Sequence, residues 1–294
     1  MSTPPEKLRH LLAQDGIISM PCCYDGLTAR LVERGGFKLT FMTGFGASAV
    51  AGFPDTQLIS FEEMASTART ITSTLKEIPC IGDGDTGYGN PLNVKRTVKT
   101  YIQAGLAGIM LEDQVSPKRC GHTKGKAVVD RKEAFARIKA AVDARTESRR
   151  DFVIMARTDA REGYGIEEAI ERCKEFARLG ADITFLEAPR SKEEMIRYCQ
   201  GIILNCSLKE VPGYKMANML ENGLTPILTP SELAKIGYKI TAYPLTLLGA
   251  SIKAMQDALK AISHEEPTEP FLPSFEEIKD VVGFNEYYAD EEKY

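Results

Sequence analysis

The chain has 294 residues, of which 43% are hydrophobic and 27% are charged, and its formal net charge is −4 at pH 7. The length suits one large α/β domain of about 250 residues with an extension. The 37 lysines and arginines are spread along the chain, so the sequence argues against nucleic acid or an anionic membrane surface as a partner.

Three further features of the sequence indicate the cellular compartment of the protein. No apolar run approaches the length that spans a bilayer, and the N-terminal segment carries charges where a signal peptide has its apolar core. Seven cysteines occur without the spacing of a zinc site or a disulfide framework. These features predict a cytoplasmic protein with mostly buried thiols.

Short apolar segments alternate with longer segments of helical periodicity along the chain. The apolar segments predict eight strands: Ile17–Met20, Leu39–Met42, Cys80–Asp83, Gly108–Glu112, Phe152–Arg157, Ile183–Glu187, Lys215–Met219 and Ile240–Tyr243. Their apolar residues do not alternate with polar ones, as is typical of a parallel sheet covered by helices. Eight strands also suffice to close a barrel, so we predict a (β/α)8 TIM-like barrel, with an open doubly wound sheet as the alternative.

The intervening segments predict amphipathic helices, with apolar residues three and four positions apart. These are Gly26–Gly35, Ser60–Leu75, Asn93–Ala104, Arg131–Thr146, Ile166–Leu179, Lys192–Cys199 and Ser231–Ile236. A long helix, Leu245–Ile262, follows the last strand. We therefore expect one barrel domain over residues 1–294, in which 263–294 form a linker and a C-terminal helical extension. Residues 200–213 are compatible with a further strand, which makes the placement of the seventh strand uncertain.

Polar residues stand at almost every predicted strand end. In a parallel barrel these ends meet in one mouth, where the active sites of such enzymes lie. The same residue types also favour the first positions of loops, but their repetition favours a site. The polar residues concerned are Thr43, Asp83, Asp85, Glu112, Arg157, Glu187, Asn218 and Glu221, and Gly44 follows Thr43 with a free choice of backbone conformation.

A carboxylate cluster is predicted at the third and fourth strand ends. Asp83 and Asp85 are two positions apart, so on an extended strand both would point to one face. Glu112, from the neighbouring strand, would add a third carboxylate. Clustered anions repel unless a cation offsets them, and oxygen ligands favour Mg²⁺ or Mn²⁺.

A second cluster lies in the glycine- and lysine-rich loop Val115–Lys126. Cys120 stands between cationic residues and His122, an arrangement that predicts a lowered thiol pKa and a role in proton transfer. The loop would then be a lid that closes over substrate. The alternative is a solvated basic loop with an incidental cysteine.

These motifs together resemble the isocitrate lyase and phosphoenolpyruvate mutase superfamily. The resemblance covers about residues 8–258. It depends on DGDTGYG at 83–89, EDQ at 112–114 followed by KRCGH at 118–122, ARTD at 156–159, and ANM at 217–219 with Thr225-Pro226. The KRCGH segment resembles the lyase branch, which includes 2-methylisocitrate lyase and 2,3-dimethylmalate lyase. Carboxyvinyl-carboxyphosphonate phosphonomutase and oxaloacetate acetylhydrolase share this segment.

The resemblance implies a role for each matching residue. Asp83 would bind Mg²⁺ directly, Asp85 and Glu112 would hold its waters, and Asp55 would support the same site. Arg157 would clamp a carboxylate, and Cys120 would exchange a proton with the product carbanion. Glu187 would be a third catalytic residue beside Cys120 and Arg157. The remaining substrate contacts would come from Thr43, Gly44, Phe45, Gly121, His122, Asn218 and Glu221.

The implied function is a magnesium-dependent carbon–carbon lyase. Its substrate would be a 2-methylisocitrate- or alkylmalate-like 2-hydroxy diacid, cleaved to pyruvate or another 2-oxo acid and a carboxylic acid. Phosphonate formation is the alternative, and oxaloacetate hydrolysis is disfavoured because Pro244 stands where the hydrolase branch has a serine. The resemblance also implies a homo-oligomer, a tetramer with helices exchanged between subunits.

Overall fold

The structure is a computed structural model that describes residues 2–123, 125–200 and 211–294. Within them, eight parallel strands form one closed barrel in chain order, so the barrel is confirmed and the open sheet is excluded. The strands are β1 Ile18–Cys23, β2 Thr40–Met42, β3 Cys80–Asp83, β4 Gly108–Glu112, β5 Val153–Thr158, β6 Ile183–Leu186, β7 Tyr214–Asn218 and β8 Ile240–Tyr243.

Within the described residues, one helix precedes β1, and each strand is followed by at least one helix. The helices are α1 Pro4–Ala13, α2 Gly26–Arg34, α3 Gly44–Val50, α4 Phe61–Thr74, α5 Pro91–Gln103, α6 Arg131–Ser148, α7 Ala160–Arg178, α8 Lys192–Gln200, α9 Pro230–Ile236, α10 Thr246–Ser263, α11 Phe275–Val282 and α12 Phe284–Glu291. A short 3₁₀ turn at Glu269–Phe271 lies in the predicted linker. The segment 200–213, which is compatible with a further strand, falls largely outside the described residues.

Successive residues of each strand pack into two different layers, as the barrel requires. In β4, Ile109 and Leu111 join the apolar cluster beneath α4, α5 and α6, whereas Met110 joins the cluster inside the barrel. All five residues of β4 are buried, which explains why its sequence does not alternate. Both faces of the strand therefore contribute to the core.

Three helices of the barrel unit were either not predicted or differ by more than two residues at one end. The first, α1, was not predicted; it begins directly after Thr3, whose backbone N–H donates to the carboxylate of Glu6 in the first turn at 2.7 Å. The second, α3, begins directly after Thr43, where two glycines obscure the helical pattern. The third, α7, starts at Ala160 rather than Ile166 because the chain continues through a kink at Gly165, where φ is +85°.

Asp182 stabilises the end of the barrel where the strands begin, opposite their C-terminal ends. Its carboxylate accepts hydrogen bonds from Arg9 of α1 at 2.9 Å, from Arg145 of α6 at 2.8 Å and from the backbone N–H of Ile154 at 2.8 Å. These partners lie on two helices and β5. One carboxylate thus connects segments far apart in the chain.

The chain divides into two compact units, residues 1–245 and 246–294. The first contains all eight strands of the barrel, and the second contains α10, α11 and α12. Over the described residues, no helix combines the length and the apolar character needed to cross a membrane. The expectation of one domain over 1–294 stays a prediction.

Candidate active site

A cavity opens at the C-terminal ends of the strands, within the barrel unit. Its wall includes most of the residues that the sequence predicted for the site: Thr43, Phe45, Asp55, Asp83, Cys120, Gly121, His122, Arg157, Glu187 and Asn218. Apolar side chains from Phe41, Met110, Phe185 and Met216 form its floor and sides. The cavity therefore combines a few charged groups with an apolar surround, as ligand sites do.

Asp83 ends β3 and is 6% exposed. Its carboxylate accepts hydrogen bonds from the backbone N–H groups of Gly44 at 3.1 Å and Asp85 at 3.0 Å. Burial and the charge of Asp85 raise the pKa of Asp83 to about 6, although Lys118 opposes them. The side chain is held in place, and ionisation of its carboxyl is costly even with Lys118 in the same cluster.

Asp85 lies in the same carboxylate cluster, but its backbone conformation differs from the one that the sequence predicted. The strand ends at Asp83, and Asp85 has a φ of +46° in a turn closed by the bond from Gly87 N–H to the Gly84 carbonyl at 2.8 Å. The prediction that Asp83 and Asp85 share the face of an extended strand was therefore wrong. The two carboxylates converge because the chain turns back.

Lys118, from the loop after β4, enters this carboxylate cluster. Its ammonium lies 2.5 Å from Asp55 Oδ1 and 3.0 Å from Asp85 Oδ1, and the side chain is 4% exposed. Burial lowers the pKa of Lys118, but Asp85, Asp55 and Asp83 outweigh burial and hold the pKa well above its usual value. Lys118 is thus a buried cation that partly offsets the carboxylates.

Two carboxylate oxygens of the cluster are buried and accept no hydrogen bond from the described residues. They are Glu112 Oε1 and Asp85 Oδ1, and Asp85 Oδ1 is in an ion pair with Lys118 at 3.0 Å. Within the described ranges, no three His, Cys, Asp or Glu residues stand close enough to cage an ion directly. Mg²⁺ binds oxygen and retains several of its waters, so one direct carboxylate with others holding waters is a donor set that fits it.

Arg157 is fixed in the cavity wall by strand register. In the sheet it stands beside Glu112 of β4 and Phe185 of β6. The guanidinium makes a forked pair with Asp159 at 2.8 and 3.0 Å and lies 3.2 Å from Glu112 Oε2. Its ζ carbon lies 5.5 Å from the centre of the Phe185 ring. These contacts hold a desolvated positive charge in one orientation.

Glu187 joins Arg157 to the loop after β4. Its two oxygens lie 2.9 Å from His122 Nε2 and 3.4 Å from Arg157 Nη2. The backbone N–H of Leu224 donates to His122 Nδ1 at 2.9 Å, so the proton of a neutral ring is on Nε2, facing Glu187. Burial raises the pKa of Glu187, but Arg157 and His122 outweigh it and bring the pKa below its usual value. Glu187 is therefore an anion here.

Gly121 is required by this arrangement. A Cβ atom added at Gly121 would lie 2.4 Å from Arg157 Nη2 and 2.8 Å from Glu187 Cδ. Any larger residue would push the loop away from the cavity. The glycine thus allows the loop backbone to pass directly over the Arg157–Glu187 contact.

Cys120 lies in the cavity wall, but its predicted electrostatics were wrong. Burial raises the pKa of the thiol, and the hydrogen bond from the His122 backbone only partly opposes this. The flanking charges do not act as the sequence suggested, since Lys118 turns into the carboxylates and Arg119 is exposed. Cys120 is consequently a protonated thiol at neutral pH, which suits a proton donor better than a nucleophile.

Asp113 and Asp159 support the site, although the sequence assigned them no role. Asp113 accepts hydrogen bonds from Thr158 Oγ1 at 2.6 Å, Asp159 N–H at 2.9 Å and Arg172 at 3.0 Å. Asp159 in turn carries the forked pair with Arg157. The sequence did contain a signal for this role. Asp113 directly follows Glu112, and Asp159 lies two residues after Arg157, at the ends of two adjacent strands.

Some predicted residues lie elsewhere. Glu221 is exposed and is absent from the cavity wall, and Gly44 directs its N–H at Asp83. Asp85 and Glu112 also lie outside the wall, although both contact residues that form it. Asn218 ends β7 and lines the cavity, one residue before the predicted end of the strand.

The chain matches the family described as phosphoenolpyruvate phosphomutase over residues 8–263. It is 42% identical to 2,3-dimethylmalate lyase of Eubacterium barkeri over 98% of this chain and 97% of that protein. It is 40% identical to the chloroplastic carboxyvinyl-carboxyphosphonate phosphorylmutase of Arabidopsis thaliana, covering 98% and 84%, and 37% identical to 2-methylisocitrate lyase of Aeropyrum pernix, covering 98% and 90%.

A solved structure of oxaloacetate acetylhydrolase with the inhibitor 3,3-difluorooxalacetate has a TM-score of 0.92 and 36% identity, covering 99% of this chain and 97% of that one. These relatives include enzymes of three reaction types on one scaffold, and the lyases match over almost the whole chain. The chain belongs to the phosphoenolpyruvate mutase and isocitrate lyase superfamily, and it is a carbon–carbon lyase of that superfamily.

Proposed function

We propose that this lyase cleaves an alkylmalate- or 2-methylisocitrate-like 2-hydroxy diacid to pyruvate, or another 2-oxo acid, and a carboxylic acid. The observation that carries the proposal is the placement of a protonated thiol, Cys120, and a fixed guanidinium, Arg157, in the wall of one cavity. A diacid offers an anionic group to the guanidinium and a departing carbanion to the thiol. The apolar floor suits an alkyl substituent.

The reaction needs two proton movements. The C2 hydroxyl loses its proton to solvent as the C2–C3 bond breaks, and the bonding electrons remain on C3 as the enolate of the departing acid. The Cys120 thiol then delivers a proton to C3, and solvent protonates the thiolate again before the next turnover. One proton leaves oxygen and one reaches carbon, so no oxidant or reductant is required.

Asp83 would hold Mg²⁺, with Asp85 and Glu112 binding its waters and Asp55 supporting the cluster. When bound, the ion would stabilise negative charge on the oxygens of the oxo acid. Arg157 adds a fixed positive charge beside the same oxygens, and its Asp159 partner prevents it from turning away. Thr43, Phe45, Asn218 and the loop residues Gly121 and His122 complete the surround of the substrate.

A panel of 2-hydroxy diacids tests this proposal. With Mg²⁺ present, at least one alkylmalate or methylisocitrate should release a 2-oxo acid, measured with a coupled dehydrogenase. EDTA should abolish the release, and Mg²⁺ or Mn²⁺ should restore it better than Zn²⁺. The proposal fails if no diacid is cleaved while phosphorus NMR detects phosphonate formation, or while oxaloacetate yields oxalate and acetate. The last outcome is not expected, because Pro244 in the cavity wall offers no hydroxyl.

We also propose a homo-oligomer, as the family resemblance implies. Along α10, Ile252, Met255, Leu259 and Ile262 are 44–65% exposed, an apolar face that a partner subunit would cover. Light scattering at micromolar concentration should therefore give a multiple of the chain mass, with a tetramer expected. A monomeric mass would contradict this proposal.

A further inference from the structure

Gln57 connects two loops at the mouth of the cavity. It lies between α3 and α4 and is half-buried. Its φ is +56°, a backbone conformation that residues other than glycine and asparagine rarely adopt. Neither its position nor its residue type marked it in the sequence. Its conformation is one that the surrounding contacts must hold in place.

The amide of Gln57 uses both of its polar atoms. Its oxygen accepts hydrogen bonds from the Lys118 backbone N–H at 2.9 Å and from Ser116 Oγ at 2.9 Å. Its nitrogen donates to Thr86 Oγ1 at 3.0 Å, and Thr86 is fully buried directly after Asp85. Gln57 thus joins the carboxylate-bearing turn after β3 to the segment 115–123, which we call the active-site loop.

Lys118 is consequently held at both ends. Gln57 binds its backbone, and Asp55 and Asp85 bind its ammonium. Two residues later the same loop presents Cys120 to the cavity. Loss of the backbone contact would free the loop segment that delivers the thiol.

We propose that Gln57 is a positioning residue that latches the active-site loop over the cavity. The inference rests on the proposed function, in which the loop supplies Cys120. An uncharged amide suits this place, because it accepts two bonds from the loop without adding a negative charge beside Asp55 and Asp85. The latch acts through the loop and makes no contact with the reacting atoms.

The replacement Gln57→Gly tests the latch without backbone strain, since glycine adopts a positive φ readily. Two hydrogen bonds of ordinary strength correspond to about a 5- to 150-fold change in an equilibrium constant. In metal-free protein, iodoacetamide should therefore alkylate Cys120 about 5- to 150-fold faster than in the parent, measured by mass spectrometry of the Cys120 peptide. Ser116→Ala removes one of the two bonds and should give an intermediate rate.

Turnover provides a second measurement. Closure contributes to substrate binding, so Gln57→Gly should raise KM for the diacid more than it lowers kcat. Gln57→Asn should behave similarly, because asparagine tolerates the same backbone conformation but its side chain is one methylene shorter. Arg149→Gly is the matched control: Arg149 has a φ of +53° at the end of α6, away from the cavity, and its replacement should leave both readouts unchanged.

The outcomes separate this proposal from the proposed function. If Gln57→Gly alkylates at the parental rate, the latch is refuted, whatever the enzyme's substrate. If the parent cleaves no diacid but the variant alkylates faster, the proposed function fails and the latch stands. A protein that unfolds on replacement would be detected by circular dichroism, and Ser116→Ala, which leaves Gln57 intact, would then decide the matter by its alkylation rate.

Discussion

Replacing Cys120 with serine should lower kcat about 10²–10⁴-fold, the range typical of losing a general acid or base. A serine hydroxyl is a far weaker acid than a thiol, even a thiol whose pKa is raised by burial. The KM for the diacid should change much less, because Arg157 and the carboxylate cluster remain. Steady-state kinetics on the cleaved diacid would measure both parameters, and saturating pyruvate should slow alkylation of Cys120 in the parent.

Cys173→Ala is the matched control for this experiment. Cys173 is a buried cysteine of α7 in an apolar cluster, outside the cavity wall, so its loss should reduce stability but leave kcat near the parental value. A Cys120→Ser enzyme within a fewfold of the parent would show that the proton comes from another group. Glu187 is the next candidate, although the lowered pKa of its carboxyl makes it a poor donor.

Replacing Asp83 with asparagine should reduce kcat about 10³-fold or more, because a metal ion supplies several kcal/mol of charge stabilisation in reactions of this kind. Asparagine has nearly the same shape but lacks the charge that would bind Mg²⁺. Removing a buried anion also relieves repulsion with Asp85, so the fold should be retained. Circular dichroism, thermal unfolding and Mn²⁺ titration by calorimetry would separate loss of metal from loss of structure.

Asp143→Asn gives the corresponding control, since Asp143 lies on α6 and pairs with Lys139 at the surface. It should bind Mn²⁺ and turn over as the parent does. Retained Mn²⁺ affinity in Asp83→Asn would mean that Asp83 is not the direct ligand. Full activity of the parent in a demonstrably metal-free preparation would remove the metal from the reaction altogether.

The barrel could be predicted because its elements have strong local signals. Strands β3, β4 and β8 have the predicted bounds, since each is a short apolar run with a clear turn signal beside it. Helix α3 could not be predicted, because Gly44 and Gly46 are poor helix formers and packing decides their conformation. At Gly46 a Cβ would lie 2.5 Å from that of Tyr24, so the glycine serves a close tertiary approach.

The site was less predictable than the fold because charge balance depends on three-dimensional neighbours. The sequence placed Lys118 beside Cys120, whereas the structure directs its ammonium to Asp55 and Asp85, 63 and 33 positions away in the numbering of the chain. The pKa of Cys120 therefore follows burial rather than its flanking residues. Gln57 gave no signal at all, since an isolated glutamine has no characteristic spacing.

Asp182 fastens α1, α6 and β5 together at the end of the barrel farthest from the cavity. Substitutions in the loops that follow the strands leave these bonds untouched, so a change of substrate need not weaken the scaffold. The residues that stabilise the barrel are thus separate from the residues that carry out the chemistry. During evolution the loops at the cavity can change while the opposite end of the barrel stays the same. In this chain the bonds of Asp182 and the cavity wall have no residue in common, so the residues of the wall can change while these bonds are kept.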